Sequence, residues 1–305
     1  AAAPLRGPVA LGAPLDLSEL MPTVDLSAPA PADPPEAVRD RCHFLINNIS
    51  SANLEPKAEE LRRVLADPAH LPWLAGYLVV KRISTQPNFH GLYLAMLDKL
   101  GLGERLGAPL LAAVYRSVAR LLLSPKIVTS TAERSLLKNL GSWLGQATLA
   151  RDRPVLQRAL DLRALLLRGY ETGRLIAVVP FAAKVLGGAQ GSQVFRPPNP
   201  WLMGLLAVLR ELYDVDGLKM NIKFEVEVLC KALGLSLGEV PKGRVLRREA
   251  AAPQKLKNPD FMVKAGHEGP ASGARTPGEE GSAPGTPGET PTKPGGVEAA
   301  AAAIA

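Results

Sequence analysis

The sequence predicts an all-α fold, a helical-repeat stack of about ten antiparallel helices. Apolar stretches of 12–18 residues recur between residues 39 and 249, and the loops that separate them carry Pro or Gly. These loops are mostly 2–8 residues long, which is typical of antiparallel packed neighbours. No tight sequence period recurs, so a simple repeat of the ankyrin type is not predicted.

Each helix is predicted from apolar residues at three- and four-residue steps. Ser130 and Glu133 have the spacing of a capping box, in which both side chains satisfy backbone N–H groups at a helix start. Pro56, Pro87 and Pro200 each precede a helical pattern, where a missing N–H costs nothing. The predicted helices span 39–49, 56–66, 70–83, 88–100, 108–123, 131–150, 161–172, 175–187, 200–214 and 220–234.

The last of these helices has a competing interpretation. Apolar residues alternate from Met220 to Val228, which is the period-two pattern of a strand. With no partner strand elsewhere in the chain, we predict a helix that is largely buried, because its apolar residues extend around much of its circumference. Lys223, Glu227 and Lys231 are expected to form its solvated face.

The two ends differ in composition from the middle. Residues 1–38 contain eight prolines and no aromatic residue, and residues 251–305 contain eight prolines and nine glycines. Such segments bury too little apolar surface to offset the entropy of ordering, so we predict disordered linkers over 1–38 and 250–305 around one domain at 39–249. That domain carries 30 basic and 18 acidic residues, against a net charge of +7 for the whole chain. Its basic charge suits nucleic acid, an anionic membrane or an acidic protein partner.

No enzyme site, metal or cofactor is predicted. The four histidines lack metal-ligand spacing, and "GSWLG" at 141–145 lacks the Ser position of a nucleophile elbow. Cys42 and Cys230 form no CxxC motif, so reduced cytosolic thiols are expected. We find no signal-peptide pattern and no apolar run of about 20 residues that would span a membrane. The missing initiator Met and the Ala-rich ends indicate a fragment of a longer protein.

Two polar groups remain as candidate binding residues. Lys81, Arg82, Asn88 and His90 surround a predicted helix-to-helix turn, and a second group, formed by Arg134, Lys138 and Asn139, lies opposite a Leu/Trp face. From the residues alone, an ordinary interhelical loop explains the first group better than a binding site does, and a solvated helix face explains the second better. In a curved array of helices, both groups would share the inner surface, where helical-repeat proteins commonly bind partners.

Five blocks carry a family resemblance: "NFHGLY", "RSLLKNLGSWLG", "VVPFAAKVL", "VFRPPNPW" and "KFEVEVLCKALGL". Together they resemble the central region of the large scaffold subunits of the CCR–NOT deadenylase complex, over about Cys42 to Arg248. The resemblance implies a HEAT-like stack of the class of the initiation factor 4G middle domain. It also implies that RPPNPW is a rigid turn that sets the angle of the next helix, with Trp201 packed as an anchor.

The resemblance further implies a non-enzymatic scaffold that docks the deadenylase nuclease subunit and a DEAD-box RNA helicase. This would couple poly(A) shortening to translational repression and decay, in the cytoplasm and its mRNA-decay granules, with the nucleus as a second compartment. Other subunits of the complex would bind the rest of the full-length chain, and no membrane is involved. Direct RNA binding through the basic surface, as in a helicase-activating domain, is the alternative. The residues implied for the helicase, on the concave face, are Lys81, Arg82, Asn88, His90, Tyr93, Arg134, Lys138 and Asn139.

Overall fold

A computed structural model describes residues 9–246, 257–262 and 300–301. The predicted all-α class is confirmed: these residues form eleven α-helices and no strand, with one isolated β-bridge between Leu218 and Phe261. All ten predicted helices are present, most with boundaries shifted by a few residues. The helices are α1 Leu17–Leu20, α2 Glu36–Asn47, α3 Leu54–Val64, α4 Leu71–Leu78, α5 His90–Leu100, α6 Glu104–Leu123, α7 Thr131–Ala147, α8 Leu162–Thr172, α9 Leu175–Gly187, α10 Pro200–Tyr213 and α11 Met220–Ala232.

Side chains directly before two of the helices cap their first turns. Asn199 accepts hydrogen bonds from the backbone N–H groups of Trp201 and Leu202, at 3.0 and 3.2 Å, directly before α10. Ser130 accepts from the N–H of Glu133, but the reciprocal half of the predicted capping box is absent. The N–H of Ser130 donates instead to the carbonyl of Lys126, at 2.7 Å, so no donor is left for the Glu133 carboxylate.

The helices form two layers. In one layer α3 packs on α5, and α7 packs on α9, which in turn packs on α11. In the other, α4 packs on α6 and α8 on α10. Glycines on α7 let its backbone touch that of α9: a Cβ at Gly141 would lie 2.8 Å from the Phe181 carbonyl oxygen, and one at Gly145 would overlap that of Val185. The GSWLG motif is therefore a close-packing motif between two helices.

Helix α6 has the length and hydropathy that a membrane span would need, contrary to the sequence expectation. Eight of its residues are buried, among them Leu106, Leu110, Val114 and Val118, and the helix packs on α4 and α7. Its apolar surface thus belongs to the core of the stack.

The described parts of both predicted linkers pack on the stack, which differs from the prediction of disorder over 1–38 and 250–305. Leu15, Leu20 and Met21 are buried, and α2 begins at Glu36 rather than 39. Phe261 is buried in the second segment. A few apolar anchors are enough to hold these short stretches, because a preformed surface receives them. The rest of the two predicted linkers, residues 1–8, 250–256, 263–299 and 302–305, lies outside the described residues.

Candidate protein-interaction surfaces

Two of the residues implied for the helicase are unavailable to a partner. His90 is 1% exposed, its Nε2 donates to the carbonyl of Ile83 at 2.8 Å, and its ring meets that of Trp143 edge-on at 5.4 Å. Burial lowers the pKa of His90, in keeping with a neutral core imidazole. Tyr93 is also buried, and its hydroxyl donates to Gln86. The burial of both side chains argues against direct contact with a partner, because they fill the space between α5 and its neighbours.

Three more of these residues hold the stack together. The Arg82 guanidinium donates to the Tyr77 hydroxyl, at 2.8 and 3.1 Å, and to Asn47. Arg134 donates to the carbonyl of Val128 at 2.6 Å, and partial burial lowers its pKa. Asn139 donates to the carbonyl of Ser84 at 2.7 Å, which fixes the α4–α5 turn against α7. This bond places Asn139 of the second polar group against the turn that carries the first.

Lys81, Asn88 and Lys138 keep solvent exposure beside that junction. Lys81 and Asn88 are exposed, and they share the turn with Phe89, a half-exposed aromatic residue that the sequence analysis passed over. Lys138 is part-exposed and pairs with Glu225 of α11 at 3.0 Å. The solvent-exposed part of the predicted site, which a partner could contact, is therefore the turn 81–89 together with the exposed side of α7.

The ion pair between Lys138 and Glu225 spans a groove between α7 and α11. Helix α9 forms the bottom of this groove. Two cavities of about 190 and 270 Å³ adjoin at Glu225. We call this surface the α7–α11 groove, and residues that line it are Arg134, Lys138, Gln146, Lys184, Glu225 and Val228. Its rim is mainly basic, which favours an acidic partner surface.

Helix α11 adds an apolar stripe beside this groove. Met220, Phe224 and Val228 follow at four-residue steps and are 62%, 61% and 40% exposed. The prediction of a largely buried α11 is wrong for this face, and Lys223 and Glu227 are not simply solvated, since both contact Tyr213. We call these three residues the α11 stripe. The alternation of apolar residues from Met220 to Val228 could have revealed this exposed stripe, because on a helix it places apolar residues on two faces rather than one.

A second apolar surface lies in the other layer. Trp201 is 38% exposed, so it is not the packed anchor that the sequence analysis expected, although its ring does meet Phe195 edge-on at 5.8 Å. It borders a groove of about 270 Å³ between the starts of α8 and α10. We call this the Trp201 groove; residues that line it include Val155, Leu160, Leu162, Pro200, Trp201 and Leu205.

Nothing in the described ranges resembles a metal centre: no group of three or more His, Cys, Asp or Glu side chains is placed to hold an ion. Exposed apolar side chains beside polar rims are instead the features of protein-binding surfaces. The fold and these surfaces define a helical-repeat interaction module.

Comparison with known proteins identifies the family. The model of the CCR4-NOT transcription complex subunit 1 CAF1-binding domain matches residues 30–256, so the chain belongs to this family and the predicted resemblance is confirmed. The chain is 37% identical over 243 residues to the CCR4-NOT transcription complex subunit let-711 of Caenorhabditis elegans, covering 76% of this chain and 9% of that protein.

Two fungal proteins, both called general negative regulator of transcription subunit 1, are similar too. The Schizosaccharomyces pombe protein is 36% identical over 238 residues, 74% of this chain and 11% of its own length. The Saccharomyces cerevisiae protein is 38% identical over 202 residues, 66% of this chain and 9% of its own length. The chain thus spans about a tenth of the length of these relatives.

Proposed function

We propose that the chain is a non-enzymatic scaffold domain of the CCR–NOT complex that binds a CAF1-type deadenylase and a DEAD-box RNA helicase. It would couple poly(A) shortening to translational repression and decay in the cytoplasm and its mRNA-decay granules, with the nucleus as a second compartment. The family match supports the deadenylase as a partner. The observation that carries the two-partner proposal is the presence of two exposed apolar surfaces, each beside a groove, in different layers of one stack.

The helicase is assigned to the α7–α11 groove and its flanks. Lys81 and Asn88 are exposed at one flank, and Phe224 of the α11 stripe is exposed at the other. Basic side chains such as Lys138 and Lys184 would steer an acidic surface toward the groove, and the stripe would supply the desolvated centre. His90, Tyr93 and the inward-facing atoms of Arg82 would act indirectly, by fixing the turn.

The deadenylase is assigned to the Trp201 groove. Tryptophan is enriched among the residues that dominate binding energy, and Trp201 stands partly exposed at the edge of a concavity. Asn199 fixes its position, because it caps the first turn of α10 and also donates to the carbonyl of Val194 at 2.9 Å. The RPPNPW turn would thus present an aromatic side chain rather than bury one.

Binding of two proteins to separate surfaces would raise the effective concentration of each near the other. A rigid stack suits this role, since neighbouring helices within one layer are in close backbone contact, as at Gly145 of α7 and Val185 of α9. The other subunits of the complex would engage the rest of the full-length protein.

Titration calorimetry tests these assignments. The chain and its Phe224→Ala, Trp201→Ala and Phe44→Ala variants would each be titrated with the cognate deadenylase, the cognate helicase and a short poly(A) RNA. Phe44 is the matched control, an exposed aromatic side chain on α2 outside both surfaces. We expect Phe224→Ala to raise the helicase Kd, and Trp201→Ala the deadenylase Kd, each by at least about tenfold, with Phe44→Ala near wild type.

Two other outcomes would change the assignment of the partners or of the function. If Phe224→Ala weakened the deadenylase and Trp201→Ala the helicase, the two surfaces would exchange partners. Salt-sensitive RNA binding with neither protein engaged would overturn the scaffold function in favour of the RNA-binding alternative.

A further inference from the structure

Two segments outside the family match meet at the turn between α8 and α9. Gly173 ends α8 with φ +75°, a conformation that favours glycine. A Cβ built there would lie 2.7 Å from Cδ1 of Leu11, 3.0 Å from Oδ1 of Asn258 and 3.2 Å from Cδ of Pro259. Residues 11 and 258–259 lie on opposite sides of the matched range 30–256, so the N-terminal and C-terminal segments converge on one glycine.

The C-terminal segment caps α9 through a buried carboxylate. Asp260 is fully buried, and its two oxygens accept from the N–H groups of Leu175 and Ile176 at 2.8 and 3.0 Å. These are the first two residues of α9, whose N–H groups have no partner within the helix. A negative charge at a helix N-terminus is also favoured by the helix dipole. The contact is therefore specific in direction, because both carboxylate oxygens accept from the first N–H groups of α9.

The same segment holds the residues that lead into α11. The N–H of Lys219 donates to the carbonyl of Asp260 at 3.0 Å, and the N–H of Met262 donates to that of Gly217 at 2.8 Å. The side chain of Phe261 is buried beside Leu218, its bridge partner. Met220, the first residue of the α11 stripe, follows directly. The segment thus joins the start of α9 to the start of α11.

The N-terminal segment is fastened to the same turn from the other side. The N–H of Gly12 donates to the carbonyl of Thr172 at 3.1 Å, and Arg174 donates to that of Ala13 at 2.7 Å. Further along, Glu19 accepts two hydrogen bonds from buried Arg168, at 2.9 and 3.1 Å. Each segment therefore has its own set of polar anchors.

We propose that the α8–α9 turn, residues 172–176, is an intrachain docking site for these two segments, and that docking of residues 258–262 fixes the start of α11 and hence the position of the α11 stripe. The docking site itself is independent of the proposed function. The expected effect of docking on helicase binding rests on that function. In this account the working domain extends past residue 256, to at least Met262.

Hydrogen exchange of the full chain tests docking without any partner. Asp260→Ala removes the carboxylate and leaves the turn intact. We expect the amides of Leu175 and Ile176 to lose about tenfold in protection, which corresponds to 1.4 kcal/mol, and peptides covering 218–222 to exchange faster. Lys257→Ala, an exposed position in the same segment, is the control and should match wild type.

Gly173→Ala tests the convergence point, with Gly101→Ala as its match. Gly101 ends α5 at φ +64° with nothing within 4 Å of its Cβ position, so both variants incur the same backbone strain but only Gly173→Ala meets the two segments. We expect Gly173→Ala alone to raise exchange at both 175–178 and 218–222.

If hydrogen exchange of the Leu175 and Ile176 amides were the same in Asp260→Ala as in wild type, docking would be overturned. Faster exchange with an unaltered helicase Kd would overturn the positioning of the stripe, and a helicase Kd raised at least about fivefold would support it. If wild type bound no helicase, the proposed function would fail while the exchange results still decided the docking.

Discussion

Gly145 of α7 is in backbone contact with α9, which makes Gly145→Ala a sharp test of the packing. The added methyl group would overlap the carbonyl oxygen of Val185 and lie 3.0 Å from that of Lys184. A carbonyl oxygen within a helix cannot rotate away as a side chain can. The helices must separate, which also disturbs the neighbouring contact of Gly188 with Gly145.

The expected cost follows from two opposing terms. Replacing Gly by Ala in a helix interior contributes about 1 kcal/mol of stability through helix propensity. Overpacking a tight contact costs typically about 1–3 kcal/mol, and backbone atoms on the receiving side favour the upper end. We therefore expect Gly145→Ala to lower the free energy of unfolding by about 2 kcal/mol.

Gly204 supplies the control, because it lies exposed within α10 with nothing within 4 Å of its Cβ position. Gly204→Ala should be stabilising by up to about 1 kcal/mol. Urea denaturation followed by far-UV circular dichroism measures both values, provided that the slopes of the two transitions agree. Equal stability of the two variants would refute the close approach of α7 and α9.

Further predictions concern buried groups. Arg168→Met should lower the free energy of unfolding by about 3 kcal/mol or more in urea denaturation, because it removes a buried guanidinium that forms ion pairs with both Glu19 and Glu171, whereas exposed Arg163→Met should stay within about 0.5 kcal/mol. Burial raises the pKa of Cys42 to about 11, so iodoacetamide at pH 8 should alkylate this thiol at least about tenfold more slowly in the folded chain than in urea. Burial also raises the pKa of Asp260 to about 6 from an ordinary 3.8, despite the lowering influence of Lys219 and Arg174. The folded state thus holds a proton that the unfolded state has lost, so stability should fall by up to about 3 kcal/mol as the pH rises from 4 through 6, and Asp260→Asn should remove this component.

The helices were predictable because apolar spacing and capping residues are local signals. Ser130 and Pro200 act where the sequence analysis places them, and the family resemblance rests on five short blocks that lie between the start of α5 and the loop after α11. What a side chain contacts depends on elements distant in sequence. His90 is a core residue because Trp143, more than 50 positions later, covers it, and no spacing near His90 reveals that.

Exposure of apolar residues was the weakest point of the sequence analysis. The family resemblance implied a packed Trp201, and the apolar circumference of α11 predicted its burial, yet Trp201 and Phe224 are 38% and 61% exposed. The opposite error affected the termini, where Asp260 and Leu20 are buried within segments of low apolar content. In each case the decisive factor is a neighbouring surface that composition does not encode.

The central claim is that one stack holds two protein partners at once. Sedimentation velocity of the chain mixed with the cognate deadenylase and helicase, each above its Kd, measures this directly. The account predicts a ternary complex of one copy of each protein. Two binary complexes that compete for the chain, with no ternary species at any concentration, would contradict it.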